Sequence, residues 1–485
     1  MLKDPQPKQH ALEMVTLEEL VPKDHLLRLI DRHIDFTFIR EATRHLYCDN
    51  NGRPAIDPVR LFKMLFIGYL FGIRSERQLV RDIQVNVAYR WFLDLSLTDK
   101  VPDASTLSQN RRRRFEGTQI EQTIFDQIVE QAIKKGLIGG EVLFTDSTHL
   151  KANANKRRYE VHEVEQTPMA YLDELNEAID EDRKAHGKKP LKASDKPAPS
   201  KPTKISTTDP DAGYMVRDQK PEGFFYLDHR TVDGKHNLIT DTYVTPGNIN
   251  DSRPYLERLD RQCKRFGMMP WGVALDAGYN TVAVCHGLTE RGITAVMGYK
   301  RPHSPKGRFK RRDFTYDPER NSYWCPNEQE LRYSTTNRMG YREYKSDPKR
   351  CAQCPLRSQC TQSRNHQKVM VRHVWEDDRE RVNQNRLTPW GKRLYRRRCE
   401  TVERSFADAK QLHGHRYARY RGLYRVRAQS LLAAACQNMK KIARLLAAFL
   451  RLYLAAWGPQ WGNQPFYALV ANHQRTHQSS APDCA

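Results

Sequence analysis

Three acidic residues stand where a divalent cation could be held. Asp146 closes the mostly apolar run Glu141-Val142-Leu143-Phe144-Thr145-Asp146, and Asp276 closes Gly272-Val273-Ala274-Leu275-Asp276. Each run reads as a short buried strand, and a carboxylate there is costly to bury unless it is paired or meets a cation. Turns favour aspartate after strands in any case, so the pair says more than either residue alone. A third carboxylate comes from the stretch Tyr395 to Lys410, which reads as a helix with Val402, Phe406 and Ala409 on its buried side. Pattern alone leaves Glu400 and Glu403 both open. Glu403 stands seven residues before Lys410 and so shares a helix face with it. Hard cations such as Mg²⁺ or Mn²⁺ take oxygen ligands. Two of them about 4 Å apart can activate the attacking oxygen and stabilise the leaving one in an in-line phosphoryl displacement. Carboxylates from two strands and a helix suit that chemistry, with Lys410 and neighbouring arginines such as Arg404 lining a groove for phosphates.

A second group of residues suits a different metal. Cys325, Cys351, Cys354 and Cys360 are spaced C-x25-C-x2-C-x5-C. Four thiolates fit a closed tetrahedral Zn²⁺ site that stabilises a small domain without a large core. An iron–sulfur cluster and free thiols are the alternatives. A closed site has no open coordination position, which argues against catalysis there. The neighbouring Arg301, Lys306, Arg308, Lys310, Arg311 and Arg312 make this region basic.

The elements that must position these groups fall into an α/β pattern. Up to about residue 135 the chain reads as helical. Leu61, Met64, Leu65, Gly68 and Tyr69 form one apolar stripe, with Asp57 as N-cap, Pro58 in the first turn and Gly72 as the stop. Further helices are expected from Glu76, near Val87 and over Thr106–Phe115. The last is rich in Ser, Gln, Asn and Arg, with Arg111 and Arg112 as candidate DNA contacts. After Asp146, a charged helix is expected over Tyr171–Lys184, then a Pro/Lys-rich disordered linker at about 185–205. Strands are expected at Gly223–Asp228, His236–Val244 and Ile293–Met297, and a helix at Pro254–Phe266. The domains are then 1–135 (helical, DNA-binding), 136–300 (first part of a catalytic core), 301–375 (basic four-cysteine insertion), 376–455 (end of the core, with the glutamate helix) and 456–485 (tail).

Charge narrows the partners. The 485 residues carry a formal net charge of +23, an excess that favours nucleic acid through counterion release. Nothing at Met1-Leu2-Lys3-Asp4-Pro5-Gln6 reads as a signal peptide. Lys440, Lys441, Arg444 and Arg451 interrupt the apolar stretch Leu431–Trp457, so a packed helix is expected there and no membrane partner. Ten cysteines without a secretory signal point to a reducing compartment.

The motifs together resemble the DDE transposases of bacterial insertion sequences. Thr145-Asp146-Ser147-Thr148 with Lys151-Ala152-Asn153-Ala154-Asn155 is similar to the block around that family's first aspartate. Leu275-Asp276-Ala277-Gly278-Tyr279-Asn280 is similar to the second block. Thr401-Val402-Glu403-Arg404-Ser405-Phe406 with Lys410, preceded by Tyr395 and Arg398, is similar to the glutamate helix. The related Y-x2-R-x3-E-x6-K pattern fits except that Arg398 to Glu403 is one residue too long. The Val-Glu-x-x-Phe context and the lysine spacing favour Glu403 over Glu400. The resemblance extends from about residue 15 to 450, through Asn51-Gly52-Arg53-Pro54, Thr208-Asp209-Pro210-Asp211, His229-Arg230-Thr231-Val232-Asp233 and Thr245-Pro246-Gly247-Asn248.

The resemblance implies an RNase H-like mixed sheet with flanking helices, an all-α N-terminal domain and a small zinc-ribbon-like insertion. It also implies metal-dependent cleavage at element ends and transfer of the freed 3′-hydroxyls into target DNA, with two Mg²⁺ or Mn²⁺ ions on Asp146, Asp276 and Glu403. Tyr395, Arg398, Arg404 and Lys410 would contact double-stranded DNA, and a homodimer on paired ends in the bacterial cytoplasm is expected. His229, Asp241 and Asp251 read first as satisfied structural polar groups, with an accessory role at the site as the alternative. An RNase H-like nuclease that does not join strands, or a transposase-derived DNA-binding regulator, are the alternatives.

Overall fold

A computed structural model describes residues 14–48, 55–165, 171–192, 200–216, 222–299 and 307–457. Its N-terminal part is helical, as the apolar stripes require. Helix Pro58–Leu70 starts where the Asp57 carboxylate accepts the Val59 N–H, and Glu76–Val85 starts where the Ser75 hydroxyl accepts that of Gln78. Gly72 takes the left-handed conformation, with φ of +69°. A Cβ there would meet the Leu412 carbonyl at 3.0 Å, so glycine also lets this helix end press against the end of the glutamate helix, Val402–Leu412.

The central sheet has eight strands: β1 (Val142–Lys151), β2 (Tyr159–Glu165), β3 (Ser200–Ser206), β4 (Gly213–Met215), β5 (Gly223–Asp233), β6 (Ile239–Pro246), β7 (Gly272–Leu275) and β8 (Thr294–Met297). Strand β1 runs antiparallel to β5 and parallel to β7, and β7 runs parallel to β8. The far edge of β5 pairs antiparallel with β4 and β6. The short strands β7 and β8 are buried, apart from Thr294, and flanked by helices Tyr255–Phe266 and Val282–Glu290, the usual fate of parallel apolar strands.

The expected disordered linker over 185–205 is corrected at both ends. Helix Leu172–Ala185 reaches its first residue, and from Ser200 the chain forms β3, paired along its whole length with β2. Residues 193–199 lie outside the described residues. A Pro/Lys-rich composition signals a linker, but Pro202 sits on β3 where only β2 is a neighbour, because β4 pairs with β3 at Ile205 alone. The missing N–H therefore breaks no ladder.

One apolar core unites the two ends of the chain. The long helix Leu423–Trp457 packs against helices Leu26–His33, Pro58–Leu70 and Ile120–Lys134 and also against β6. Its Ala433, Ala434 and Ala435 are fully buried, and their small side chains allow close approach. Residues from Val21 to Leu446 share this core, so the N-terminal helices and the sheet are not separately packed. No helix of the described residues is long and apolar enough to cross a membrane.

A second, five-stranded antiparallel sheet has its own core of Phe314, Tyr323, Leu331, Tyr344 and Met370. Its strands are β9 (Thr315–Asp317), β10 (Ser322–Trp324), β11 (Glu330–Thr336), β12 (Tyr341–Lys345) and β13 (Val369–His373). Helix Leu172–Ala185 is bolted to it through buried Asp182, which accepts from Arg342 at 2.7 Å and from Thr336 at 2.5 Å.

His413 caps the seam between the glutamate helix and the N-terminal helices, its Nδ1 donating to the Tyr69 carbonyl at 2.9 Å. Burial pushes its pKa from 6.5 down to about 4. Between those values the unfolded chain holds the extra proton and the folded chain does not, so stability rises with pH across that window. Thermal unfolding at about pH 7 and about pH 5 should therefore show a smaller acid loss in His413→Gln than in wild type. Equal losses would remove His413 from the acid response.

Candidate active site

Asp146 is not at the end of its strand, as the sequence reading expected. Antiparallel pairing with β5 carries β1 on from Asp146, opposite Arg230, to Lys151, opposite Phe225. It is β7 that stops: Leu275 pairs with Thr145, and Asp276 follows beside Asp146. The two aspartates therefore meet at a step in the sheet, where one strand ends and its neighbour continues. The Asp146 side chain is 19% exposed and that of Asp276 is 49% exposed. Burial pushes the Asp146 carboxyl up to about 6, with Arg398 pulling the other way.

Glu403 completes the group from the first turn of its helix. The three carboxylates share one cation. Arg398 donates from Nη2 to Asp146 Oδ2 at 2.6 Å, and its Nη1 lies 3.8 Å from Asp276 Oδ1 and 3.6 Å from Glu403 Oε1. Glu400 is exposed, and its backbone carbonyl accepts from Asn237 at 3.2 Å.

The extra residue between Arg398 and Glu403 has a structural explanation. In a continuous helix it would turn Arg398 away from the glutamate's face. Instead helix Pro389–Arg396 gives way to a 3₁₀ turn at Arg397–Cys399, and Thr401 breaks the path with φ −106° and ψ −95°. The tighter turn and the break rotate Arg398 back over the carboxylates. Tyr395 steadies it through a 3.3 Å contact between its hydroxyl and Arg398 Nη1.

The expected DNA-contacting residues divide into two sets. Arg398 is buried among the carboxylates and Tyr395 is half-buried. Arg111 faces inward, on Glu76 and the Tyr420 hydroxyl. Arg112 and Arg404 are exposed, Arg404 with Asp408 at 3.2 Å. Lys410 donates to the Thr148 hydroxyl at 2.5 Å, beside an open cleft of about 400 Å³ lined also by Asp146, Ser147, Glu403 and Arg416.

A buried ionic group beneath this cleft escaped the sequence reading. Arg230 and Asp228, both with fully buried side chains, pair at 2.8 Å. Asp228 also accepts from His415 at 2.9 Å and from the Thr242 hydroxyl at 2.7 Å. Burial acts to raise its pKa, but Arg230 and His415 outweigh it and hold the carboxyl well below its usual range. Arg230 reaches on to Ser405 Oγ at 3.1 Å and Gln437 Oε1 at 3.3 Å, tying the glutamate helix and the long helix to the sheet. An arginine in a strand gives no advance signal of burial. Of the possible accessory residues, Asp241 holds Arg258 at 2.5 Å, and His229 bonds Thr245 at 2.8 Å. Asp251 lies close to Gly278, just after Asp276.

The four clustered cysteines gather at one end of the small sheet. Cys325 follows β10 and accepts from the Gln329 amide at 3.4 Å, while Cys354 accepts from Asn327 Nδ2 at 3.6 Å. Cys351 donates to Ser346 at 3.2 Å. Burial raises the Cys360 thiol pKa, and the proximity of Cys325, Cys351 and Cys354 raises it further. Among the described residues no group of three or more His, Cys, Asp or Glu side chains is arranged to hold a metal ion as it stands.

Comparison with known proteins adds two family matches. Residues 15–113 match the transposase domain DUF772, and residues 324–443 match a transposase DDE domain. The second span contains Glu403, Lys410 and all four clustered cysteines. Among solved structures, a cryo-EM structure of a piggyBac transposase synaptic complex with hairpin DNA aligns at 10% identity and a TM-score of 0.30. That alignment covers 95% of this chain and 85% of the other. No curated protein matches the chain.

Proposed function

We propose that this chain, which belongs to the DDE transposases, cleaves DNA at the ends of its own mobile element and joins the freed 3′-hydroxyls to target DNA. The observation that carries the reading is the convergence of Asp146, Asp276 and Glu403 on a single cationic centre at the lip of a cleft. The mixed sheet, antiparallel through β6-β5-β1 and parallel through β1-β7-β8, supports an RNase H-like core.

The donor chemistry, though not its present spacing, suits a hard divalent cation: three carboxylates from separate elements already face one positive charge. Asp146, Asp276 and Glu403 would hold Mg²⁺ or Mn²⁺, two ions being the number this chemistry uses. Such ions supply Lewis-acid stabilisation of the phosphoryl oxygens and a stronger oxygen nucleophile. The chain's own contribution is to fix the carboxylates on a rigid sheet step and to bind the DNA backbone. Lys410, Arg416 and exposed Arg404 and Arg112 are the groups proposed for phosphate, and a homodimer on paired ends is the proposed assembly.

The test is incubation of the full-length protein with labelled duplex carrying the element's ends, with and without Mg²⁺. Metal-dependent nicking at the end followed by joined products supports the transposase. Nicking without joining favours a nuclease, and binding without any cutting favours a regulator.

The cysteine cluster supports a second, structural metal. Four thiols of one neighbourhood, with Cys325, Cys351 and Cys354 near enough to Cys360 to act on its charge and two of the four accepting N–H hydrogen bonds, have the donor chemistry of Zn²⁺. Purified protein is expected to contain about one zinc per chain. Cys351→Ser and Cys354→Ser should lose the zinc and lower the melting temperature. Native protein whose four thiols all react with a thiol reagent, and which carries no zinc, would overturn this assignment.

A further inference from the structure

We infer that Arg398 is a positioning residue that serves as an internal counter-cation: in the free protein its guanidinium occupies the place a divalent ion takes, and metal binding displaces it. The inference rests on the active-site reading above. Its own support is the contact set of one side chain, which reaches Asp146, Asp276 and Glu403 at 2.6, 3.8 and 3.6 Å.

What separates this from an ordinary structural arginine is that one guanidinium meets three carboxylates from three separate elements. The Arg398 side chain is only 4% exposed, so it cannot reach a DNA phosphate without moving. Its Nε is buried with no hydrogen-bond partner. The Nε atoms of Arg230, Arg372, Arg386 and Arg419 are unpartnered too, so this feature is not particular to Arg398, but an unmet buried N–H is costly. Leaving the site relieves that cost. The residue also sits on the 3₁₀ turn between two helices, where a local change of backbone can redirect it without unwinding either one.

The electrostatic consequence follows from the distances. Without a cation, three carboxylates this close would repel one another, and the guanidinium keeps them together. A divalent ion on the same oxygens would in turn repel the guanidinium across a few ångströms of poorly screened space. Metal binding to the free protein is therefore weakened by Arg398. A nearby phosphate, by drawing the guanidinium away, would strengthen it, so that metal loading is coupled to the presence of DNA.

The experiment measures Mn²⁺ binding to full-length protein without DNA by calorimetry, with Asp276→Asn as the site control and circular dichroism as the folding control. Arg398→Gln should bind Mn²⁺ tighter by on the order of tenfold, with Arg398→Lys in between. Wild type supplies a reading that needs no variant: phenylglyoxal should leave Arg398 unmodified in free protein and modify it once Mn²⁺ alone is added. Folded Arg398 variants that bind Mn²⁺ no tighter, or an Arg398 still protected at saturating Mn²⁺, overturn the counter-cation role. If Asp276→Asn leaves Mn²⁺ binding unchanged, the active-site reading itself falls. If binding responds to Asp276 but not to Arg398, only the counter-cation is lost.

Discussion

Alanine at Asp146, Asp276 or Glu403 is expected to slow end cleavage by roughly 10³-fold or more, while Glu400→Ala cuts close to the wild-type rate. The three residues come from β1, the end of β7 and the glutamate helix, and share one positive charge. Each removal takes away an oxygen donor that the other two cannot replace, so the three losses should be similar and far from additive. DNA retention should change little, because the groups proposed for phosphate are other side chains, Lys410 and Arg416 of the same cleft with Arg404 and Arg112. Gel shift and single-turnover cleavage on the same DNA separate the two effects. Variants that all cut like wild type, or a dead Glu400→Ala beside an active Glu403→Ala, would remove this site from the chemistry.

Asp228→Ala is expected to destabilise the protein by about 3–5 kcal/mol. The reason is what it leaves behind. Arg230 would be an uncompensated charge in a site with no access to water, and His415 and Thr242 would lose their acceptor. Because Arg230 also holds Ser405, two residues beyond Glu403, cleavage should fall along with stability. Replacing both members of the pair by apolar residues, Asp228→Leu with Arg230→Met, should recover part of the loss, since no lone charge is then buried. Chemical denaturation of the two single variants and the double variant provides the check. If the double variant is no better than Asp228→Ala, the buried charge is not what makes the single change costly. The depressed Asp228 carboxyl adds a sign: its stabilisation is present above the ordinary carboxylate range and is lost as pH falls through its lower folded value.

The contrast between these two groups shows what could be read before the structure. Asp146 and Asp276 stood out because each closes a short apolar run, whereas the local pattern left Glu400 and Glu403 both open and only the resemblance favoured Glu403. The start signals at Asp57-Pro58 and Ser75 were equally local and hold residue for residue. Where β1 ends was not local. It depends on β5, some eighty residues away, which goes on pairing past Asp146. The same dependence made Ser200–Thr203 look like linker, because its order comes from β2. Arg398 was placed in the motif with the wrong spacing, and only the 3₁₀ turn after helix Pro389–Arg396 explains how the longer spacing still reaches the carboxylates. The Asp228–Arg230–His415 group had no sequence signal, since its members are meaningful only together.

The long C-terminal helix has a consequence for how the protein is made. Helices near residues 26–33, 58–70 and 120–134 pack against it, yet a ribosome synthesises them roughly three to four hundred residues earlier. Until Leu423–Leu446 emerges, those helices lack their apolar partner, and truncated translation products would lack it permanently. A fragment stopping before that helix should therefore be cut by added protease much faster than the full-length chain.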